Sequence, residues 1–408
     1  MPEERGACQP HPAPHLMTTL SCPQLLVDGR LAGPGSVTLA DGLIAGVELA
    51  GGEPRATPAA ERLDGGLLTA GMVDLQLNGA VGVDFASADL AGWRRVAAHV
   101  ARHGVTAFCP TFITAPVERQ RAAIAATAAA QAALAPTEGD AARPPLARPL
   151  GAHLEGPFLS PARPGAHDPS LLAEPTAAAL DRLLDGADPA ALRIVTLAPE
   201  LPGGLAAIAR LRAAGVTVAL GHSDATAEQT AAAATAGATL VTHLFNAQRP
   251  FGHREPGLPG RALVDPRLVC GLIADLHHVA PDGVRLAFAA APGRIALVSD
   301  AVAAAGLADG AIRIGSVDAL AQPDGPPRLA DGTLAGSALH LDEAVRNAVA
   351  LGVDRATALT AATAVPAAAV GDDGGGRLAP GRRADLVWWD DALRVRAVWI
   401  GGRRIDLR

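Results

Sequence analysis

The chain has 408 residues, of which 49% are apolar and 18% are charged, and its formal net charge is −7. This apolar fraction is enough to bury a large core, and it excludes a chain that is disordered throughout. An acidic chain without a basic run is not expected to bind nucleic acid or an anionic membrane surface. Lysine and tyrosine are absent, which excludes Schiff-base chemistry, a P-loop, a carboxylated lysine that bridges two metals, and catalysis by a phenol.

The N-terminal segment, an alanine-rich stretch and the cysteines indicate the cellular location of the protein. Residues 1–20 contain Pro and acidic residues without an apolar signal-peptide core, so we expect a disordered extension. The alanine-rich stretch from Ala122 is too short to span a membrane. The scattered cysteines form no CxxC pair, which favours a reducing, cytoplasmic location without disulfides. They are Cys8, Cys22, Cys109 and Cys270.

Short β-like segments flank a different middle region. From Leu25 to about Thr69, apolar stretches are broken by Gly and Asp, as in LLVDGRL and SVTLADGLIAGVELA. The same pattern of short apolar stretches recurs near the C-terminus in ADLVWWDD and VRAVWIGGRRI. These patterns are typical of hairpins in a small sheet. We therefore predict one discontinuous, sandwich-like β domain formed by residues 21–70 and 376–408.

The middle region, residues 71–375, alternates apolar strands with alanine-rich helical segments. Eight such alternations predict a (βα)8 barrel, which carries its active site at the C-terminal ends of the strands. A doubly wound open sheet is the competing topology, but no GxGxxG motif follows the first strand. The strand segments are MVDLQLNG from Met72, VTAFCPTF from Val105, LGAHLEG from Leu150, RIVTLAPE from Arg193, VTVALGHSD from Val216, LVTHLFNA from Leu240, CGLIADLHH from Cys270 and RIALVSDA from Arg294.

Polar side chains concentrate at the predicted strand ends. Five of the twelve histidines fall there, which favours a metal or acid–base site over chance placement. Three other histidines, His99, His103 and His340, lie in helix-like segments and are predicted to be structural. The strand-end residues are Asp74, Gln76, Asn78, His153, Glu155, His222, His243, Asn246, Asp275, His277, His278 and Asp300.

Glu155, His222 and His243 together offer two imidazoles and one carboxylate. This donor set suits Zn²⁺, accepts Fe²⁺, Co²⁺ or Mn²⁺, and leaves a position for a water that the ion makes more acidic. A carboxylate on a neighbouring strand end, Asp300, is the candidate base for that water. An N-cap for a following helix is the alternative interpretation of Asp300. Glu155 lies in an apolar strand, where an unpaired carboxylate is costly, so it is expected to be a ligand or part of an ion pair.

From about Leu25 to Leu407 the chain resembles the N-acetylglucosamine-6-phosphate deacetylase family of the amidohydrolase superfamily. HLEGPF, THLFNA and REPG occur in this order and together are highly specific, although each alone would be weak. GMVDLQLNGAVGVDF, LVSDA and LAGSALHLDEAVRN extend the match. The resemblance implies the hydrolysis of N-acetylglucosamine 6-phosphate to glucosamine 6-phosphate and acetate by a cytoplasmic homodimer.

The resemblance also implies roles for individual residues. Glu155, His222 and His243 would bind the metal, and Asp300 would act as general base and then as general acid. Arg254 and His278 would hold the sugar phosphate, for which a guanidinium has suitable paired donors. The implied substrate-binding set is Ala166, His167, Asn246, Ala247, Arg254, His278, Leu334, Ala335 and Gly336.

Two positions distinguish this chain from many amidohydrolases. Gln76 and Asn78 occupy the place of an HxH pair that binds a second metal, and neither amide is a good zinc ligand. One metal per subunit is therefore expected, with both amides in hydrogen bonds around the site. Three alternatives stay open: the same reaction on N-acetylgalactosamine 6-phosphate, another amidohydrolase reaction such as that of an amidase or deaminase, and a catalytically silent scaffold.

Overall fold

The computed structural model describes residues 17–49, 60–136, 143–323 and 325–407. Most of the predicted extension therefore lies outside the described residues, while the first strand begins at Thr18. In chain order the strands are β1 (Thr18–Cys22), β2 (Gln24–Val27), β3 (Arg30–Ala32), β4 (Gly35–Ala40), β5 (Leu43–Leu49), β6 (Ala60–Arg62), β7 (Leu67–Ala70), β8 (Met72–Leu77), β9 (Gly79–Ala80), β10 (Val83–Asp84), β11 (Val105–Phe112), β12 (Arg148–Pro149), β13 (Ala152–Glu155), β14 (Leu192–Leu197), β15 (Thr217–Leu220), β16 (Leu240–Val241), β17 (Val269–Leu272), β18 (Ile295–Leu297), β19 (Gly310–Ile314), β20 (Val317–Gln322), β21 (Gly325–Arg328), β22 (Leu386–Trp389), β23 (Val395–Ile400) and β24 (Arg403–Asp406).

The helices of the described residues pack outside the central strands, and none is long and apolar enough to cross a membrane. They are α1 (Leu90–Arg102), α2 (Val117–Leu134), α3 (Ala177–Leu184), α4 (Gly204–Ala213), α5 (Ala227–Ala236), α6 (Gly257–Val264), α7 (Pro281–Ala290), α8 (Leu341–Ala350), α9 (Arg355–Ala362) and α10 (Ala364–Ala369).

The central sheet is a parallel barrel. Its eight strands follow the order β8, β11, β13, β14, β15, β16, β17 and β18, and the short β12 also pairs with β11. A parallel bridge between Leu77 and Ala301 closes the circle, and the backbone N–H of Asn78 donates to the carbonyl of Ala301 at 2.7 Å. All eight residues of β11 are buried, because side chains of a barrel strand face either the interior or the helices. The predicted barrel is confirmed.

Two further sheets lie beside the barrel, the first built from N-terminal strands alone and the second from strands of both ends of the chain. One has the strand order β5-β4-β1-β6, and the other has the order β24-β23-β22-β7-β2-β3. The N-terminal β7 pairs antiparallel with the C-terminal β22. Alternate residues of β7 face different cores: Leu67 packs into the barrel core, whereas Leu68 packs into the core between the two sheets. The β-rich unit from both termini is thus present as expected, while its exact boundaries stay a prediction.

The sequence analysis missed a small antiparallel sheet. Strands β19, β20 and β21 form it between the last barrel strand and α8, and it has its own apolar cluster that includes Ile312 and Ile314. This insertion places Ile314 and Val317 on the wall of the cavity described next.

Candidate active site

A cavity of about 280 Å³ opens at the C-terminal ends of the barrel strands. The interior of the barrel below it is filled by side chains, so polar groups at the strand ends form its floor. Thirteen of the residues predicted from the sequence line it: Asn78, Glu155, Ala166, His167, His222, His243, Asn246, Ala247, His278, Asp300, Leu334, Ala335 and Gly336.

Backbone strain coincides with the floor of the cavity. His222, His243 and Asp300 have φ angles of 47°, 28° and 47°, in the left-handed region. That conformation costs a residue with a Cβ about 1–2 kcal/mol. Strain of this kind concentrates at functional sites, where the surrounding packing holds it in place. Each residue lies two or three positions beyond the end of a strand, so the turn directs a polar side chain into the cavity.

Glu155, His222 and His243 converge at one point. Glu155 Oε1 lies 2.9 Å from His243 Nε2 and 3.2 Å from His222 Nε2, and the two imidazole nitrogens are 3.2 Å apart. Burial alone would raise the pKa of Glu155, but the hydrogen bonds and charges of the two histidines hold it well below its usual range. The three side chains are almost completely buried.

The hydrogen bond on the far side of His222 indicates that a cation belongs at this point. His222 Nδ1 lies 3.1 Å from the carbonyl oxygen of Arg163, which can only accept, so Nδ1 carries the proton. A ring with its single proton on Nδ1 is the form that binds metals, and its Nε2 would present a lone pair 3.2 Å from the carboxylate of Glu155. A divalent ion between these two atoms would supply the positive charge that stabilises them. The donor set and its spacing therefore fit a divalent metal ion.

His167 is close to this group but presents a donor instead of a lone pair. Its Nε2 is 3.8 Å from Glu155 Oε2, and Glu155, His167 and His222 form a group that could hold an ion by distance alone. However, the backbone N–H of Thr114 donates to His167 Nδ1 at 3.2 Å, which leaves the ring proton on Nε2. Burial lowers the pKa of His167 to about 3, so the ring is neutral. This tautomer favours a hydrogen-bond donor over a metal ligand.

Asp300 also lines the cavity. Asn78 Nδ2 donates to Asp300 Oδ1 at 2.8 Å. Burial, together with the negative charge of Glu155, raises the pKa of Asp300 to about 7. A carboxyl group with such a pKa can both accept and return a proton near neutral pH. The helix-cap interpretation of Asp300 is wrong, because the next helix in the described residues begins only at Leu341.

The ring of His278 is fixed by a carboxylate. His278 Nδ1 donates to Asp275 Oδ2 at 2.7 Å, and the backbone N–H groups of His277 and His278 both donate to Asp275 Oδ1. Burial would raise the pKa of Asp275, but the contacts with His278 bring it below its ordinary value. Asp275 thus holds the imidazole at the cavity wall with Nε2 available.

Residues 67–405 match the Amidohydrolase family. The chain belongs to this family. The resemblance stated from the sequence motifs is thereby confirmed.

Individual relatives of the family are similar over nearly the whole chain. The N-acetylgalactosamine-6-phosphate deacetylase of Escherichia coli O157:H7 is 40% identical over 90% of this chain and 93% of its own length. The N-acetylglucosamine-6-phosphate deacetylase of Homo sapiens is 39% identical, with coverage of 85% and 86%.

Solved structures agree with this assignment. A mutant N-acetyl-D-glucosamine-6-phosphate deacetylase of Mycobacterium smegmatis, in complex with N-acetyl-D-glucosamine-6-phosphate, superposes with a TM-score of 0.86 at 36% identity. The superposition covers 96% of this chain and 100% of the Mycobacterium smegmatis chain. The enzyme of the same name from Pasteurella multocida gives 0.87 at 27% identity, with coverage of 96% and 100%.

Two predicted site residues lie off the cavity wall. Gln76 is buried beneath the floor, where its Nε2 donates to Glu155 Oε1 at 3.2 Å. Arg254 is exposed and does not line the cavity. Among the described residues it forms no hydrogen bond or ion pair.

Some contributors to the site were not assigned a role from the sequence. Asp275 was noted only as a strand-end residue, although its spacing of three from His278 could have indicated a pair. Thr114, which sets the tautomer of His167, and the carbonyl of Arg163 left no pattern in the sequence. Their contacts link positions 53 and 59 residues apart, so only the folded chain reveals them.

Proposed function

We propose that the protein hydrolyses the acetamide of N-acetyl-D-glucosamine 6-phosphate to D-glucosamine 6-phosphate and acetate. The observation that carries this proposal is the convergence of Glu155, His222 and His243 on one point, with Asp300 held by Asn78 on the same cavity floor. Family membership and the names of the relatives support the reaction class and the substrate class.

Glu155, His222 and His243 would hold one divalent metal per subunit, with Zn²⁺ as the favoured ion and Fe²⁺, Co²⁺ or Mn²⁺ as alternatives. When bound, such an ion supplies Lewis-acid chemistry: it makes a water more acidic and stabilises negative charge on oxygen. Gln76 and Asn78 each donate a hydrogen bond to a carboxylate of the site through the amide nitrogen. Asn78 Oδ1 is buried without a partner among the described residues, but an amide oxygen is a poor zinc ligand, which supports a single ion.

Asp300 and His167 would move and hold protons during the reaction. Asp300 Oδ2, the oxygen that Asn78 leaves free, takes a proton from the attacking water as the new C–O bond forms. The same oxygen returns this proton to the amine nitrogen as the C–N bond breaks. Nε2–H of His167 donates to the oxygen of the acetamide as charge develops on it, in the manner of an oxyanion-hole donor.

The outer part of the cavity would bind the phosphorylated sugar. We assign the phosphate to His278, which Asp275 orients, and to Arg254. The sugar would contact Asn246, Ala247, Ala166 and the backbone around Leu334, Ala335 and Gly336.

The position of Arg254 supports a homodimer in which this side chain serves the neighbouring subunit. No arginine lines the cavity within the described residues of a single chain, although a phosphate dianion needs strong cationic donors. The test is co-expression of Arg254→Ala and Asp300→Asn chains. Random pairing in a symmetric dimer regains about a quarter of wild-type activity if Arg254 acts across the interface. No regained activity would place Arg254 in its own subunit.

A cytoplasmic location is part of the proposal, supported by the buried, unpaired thiols of Cys22, Cys109 and Cys270.

Acetate release from N-acetylglucosamine 6-phosphate by purified protein tests the reaction, with metal content measured on the same sample. We expect turnover with about one catalytic metal per chain. Metal-replete protein that releases no acetate would contradict the proposal.

A second candidate substrate is N-acetylgalactosamine 6-phosphate. The relative from Escherichia coli O157:H7 that bears this substrate in its name is 40% identical over 90% of the chain. The two sugars differ in the orientation of one hydroxyl. A direct comparison of kcat/KM for both substrates decides between them, since a hydroxyl that is bound in one epimer and unpaired in the other changes this ratio strongly.

A further inference from the structure

A second group of imidazoles lies outside the active site, where α1 ends and α8 begins. We call His99, His103 and His340 the three-histidine cluster. His99 and His103 are four residues apart at the end of α1, so both project from the same face of the helix. His340 immediately precedes α8 as its N-cap. All three side chains are half-buried, and none of them lines the active-site cavity.

The ring nitrogens of the cluster lie close enough together to bind one ion. Nε2 of His99 is 3.0 Å from Nε2 of His340. The ring of His103 stacks on that of His340, with centroids 3.7 Å apart. One nitrogen from each ring lies within 4.8 Å of the others. Tetrahedral zinc with Zn–N bonds of 2.0–2.1 Å separates its ligand nitrogens by about 3.3 Å. The rings of His103 and His340 are nearly parallel, so one of them would have to rotate to direct its nitrogen at the ion.

Carboxylates on the first turn of α8 set the tautomers of two rings. His103 Nδ1 lies 3.1 Å from Asp342 Oδ1, and His340 Nδ1 lies 3.4 Å from Glu343 Oε2. Asp342 is held in turn by Arg346, at 2.7 Å. A carboxylate that accepts the Nδ1 proton leaves the lone pair of the ring on Nε2. An ion would displace the proton that His99 Nε2 and His340 Nε2 share at 3.0 Å. This carboxylate–histidine pairing is the arrangement that orients metal-binding histidines in proteins.

Helix capping accounts for only part of this arrangement. His340 is the N-cap of α8, and its backbone N–H donates to Glu343 Oε2 at 3.1 Å in a capping box. Ser, Thr, Asp and Asn are nevertheless the favoured N-caps, and capping of α8 does not explain His99 and His103. Three neighbouring imidazoles also contribute less to an apolar core than aliphatic side chains would. The side chains of His103 and His340 are 32% and 17% exposed, so an ion could reach them from solvent.

We propose that the three-histidine cluster binds a divalent transition-metal ion of the zinc type through Nε2 of His99, His103 and His340. Neutral imidazoles with carboxylate partners suit Zn²⁺, Co²⁺, Ni²⁺ and Cu²⁺ better than Mg²⁺ or Ca²⁺. The ion would link α1 to α8. A small cavity beside the cluster is lined by Leu77 and Ala301, the pair that closes the barrel. The bound ion would therefore join α1 and α8, the first and last barrel helices, beside the point where the barrel closes.

The test counts ions in the full-length protein. Chelated and dialysed protein is titrated at mildly alkaline pH with Zn²⁺, and bound metal is measured after removal of free ions. We expect two ions per chain for the wild type, one in the active site and one in the cluster. His340→Ser should bind one, and serine is a favoured N-cap that preserves the start of α8. His103→Gln should also bind one.

Matched controls keep the result specific. His253→Gln removes an exposed histidine outside both sites and should keep two ions. Titration with Co²⁺ in a Glu155→Gln/His243→Gln chain, in which the active-site ligands are removed, should still give the absorption bands of a nitrogen-bound ion. These bands should disappear when His340→Ser is added. One ion in the wild type, or two in both cluster variants, would overturn the proposal.

Discussion

The two oxygens of the Asp300 carboxylate have different surroundings. Asn78 occupies Oδ1, whereas Oδ2 receives no hydrogen bond from the described residues. Asp300→Asn keeps the size of the side chain and removes its ability to take a proton. We expect kcat to fall by about 10²–10⁴, since this is the usual contribution of a general acid–base group.

The metal content of Asp300→Asn is the control for this experiment. Asp300 is not one of the three proposed ligands, so bound metal should equal that of the wild type. Near-wild-type turnover would show that another group moves the proton.

Asp275 acts on the substrate through His278. In Asp275→Asn the charge-assisted hydrogen bond to Nδ1 is lost, at a cost of about 1.5–3 kcal/mol. We expect KM for the phosphorylated substrate to rise by about tenfold or more, with a smaller change in kcat. Unphosphorylated N-acetylglucosamine serves as the comparison, because it lacks the group that His278 would bind. An equal loss for both sugars would contradict a phosphate role.

The sequence predicted the charged residues of the site better than the groups that orient them. Glu155, His222, His243 and Asp300 follow apolar strands, and parallel strands of a barrel bring their ends to one face. Thr114 sits in an ordinary turn, and the relevant group of Arg163 is its backbone carbonyl. Neither residue type nor spacing encodes such contacts, so these roles emerge only from the three-dimensional arrangement.

The junction between β7 and β22 has almost no space at Gly66. A Cβ at this position would lie 1.8 Å from the carbonyl oxygen of Trp389, whereas a Cβ at Gly65 would have no atom nearer than 3.9 Å. Both glycines have a positive φ, 68° at Gly66 and 82° at Gly65. Ala therefore costs about 1–2 kcal/mol of backbone strain at either position.

Gly66→Ala should lower the free energy of unfolding by about 1–3 kcal/mol more than Gly65→Ala does, because only the former meets the neighbouring strand. Denaturant unfolding of the two variants side by side measures the difference. Equal free energies of unfolding for the two variants would contradict this prediction, because they would show that the backbone near Trp389 moves aside at little cost.

At the level of elements, the barrel strands were predictable and the inserted sheet was not. Barrel strands such as β11 are long buried runs that stand out from their surroundings. In contrast, β21 has the sequence GPPR, in which two prolines obscure a strand, and β19 and β20 alternate exposed with buried residues over a short length. The sheet is stabilised by a local cluster with Val302 and Ala335, which flank it in the sequence.

For the whole molecule, removal of metal should reduce stability. The folded chain holds the charge of Glu155 almost fully buried between two imidazoles. A ligand that binds only the folded state stabilises it by about 4 kcal/mol at a thousand times its Kd. We expect exhaustive chelation to lower Tm by several degrees and added Zn²⁺ to restore it.

His243→Gln provides the matched comparison, because it removes one of the three proposed active-site ligands. Its Tm should respond less to chelation than that of the wild type. A wild-type Tm that is indifferent to chelation would contradict a metal held by Glu155, His222 and His243.

Closure of the barrel between its first and last strands affects how the protein becomes active during synthesis. The hydrogen bond from Asn78 to Asp300 joins residues 222 positions apart, and strand β22, which pairs with β7, comes later still. At least 300 of the 408 residues must therefore be synthesised before the proton-transfer group can meet its partner, and β22 is complete only at Trp389. Nascent chains should be catalytically silent, so the onset of acetate release in a synchronised translation reaction would report completion of the fold.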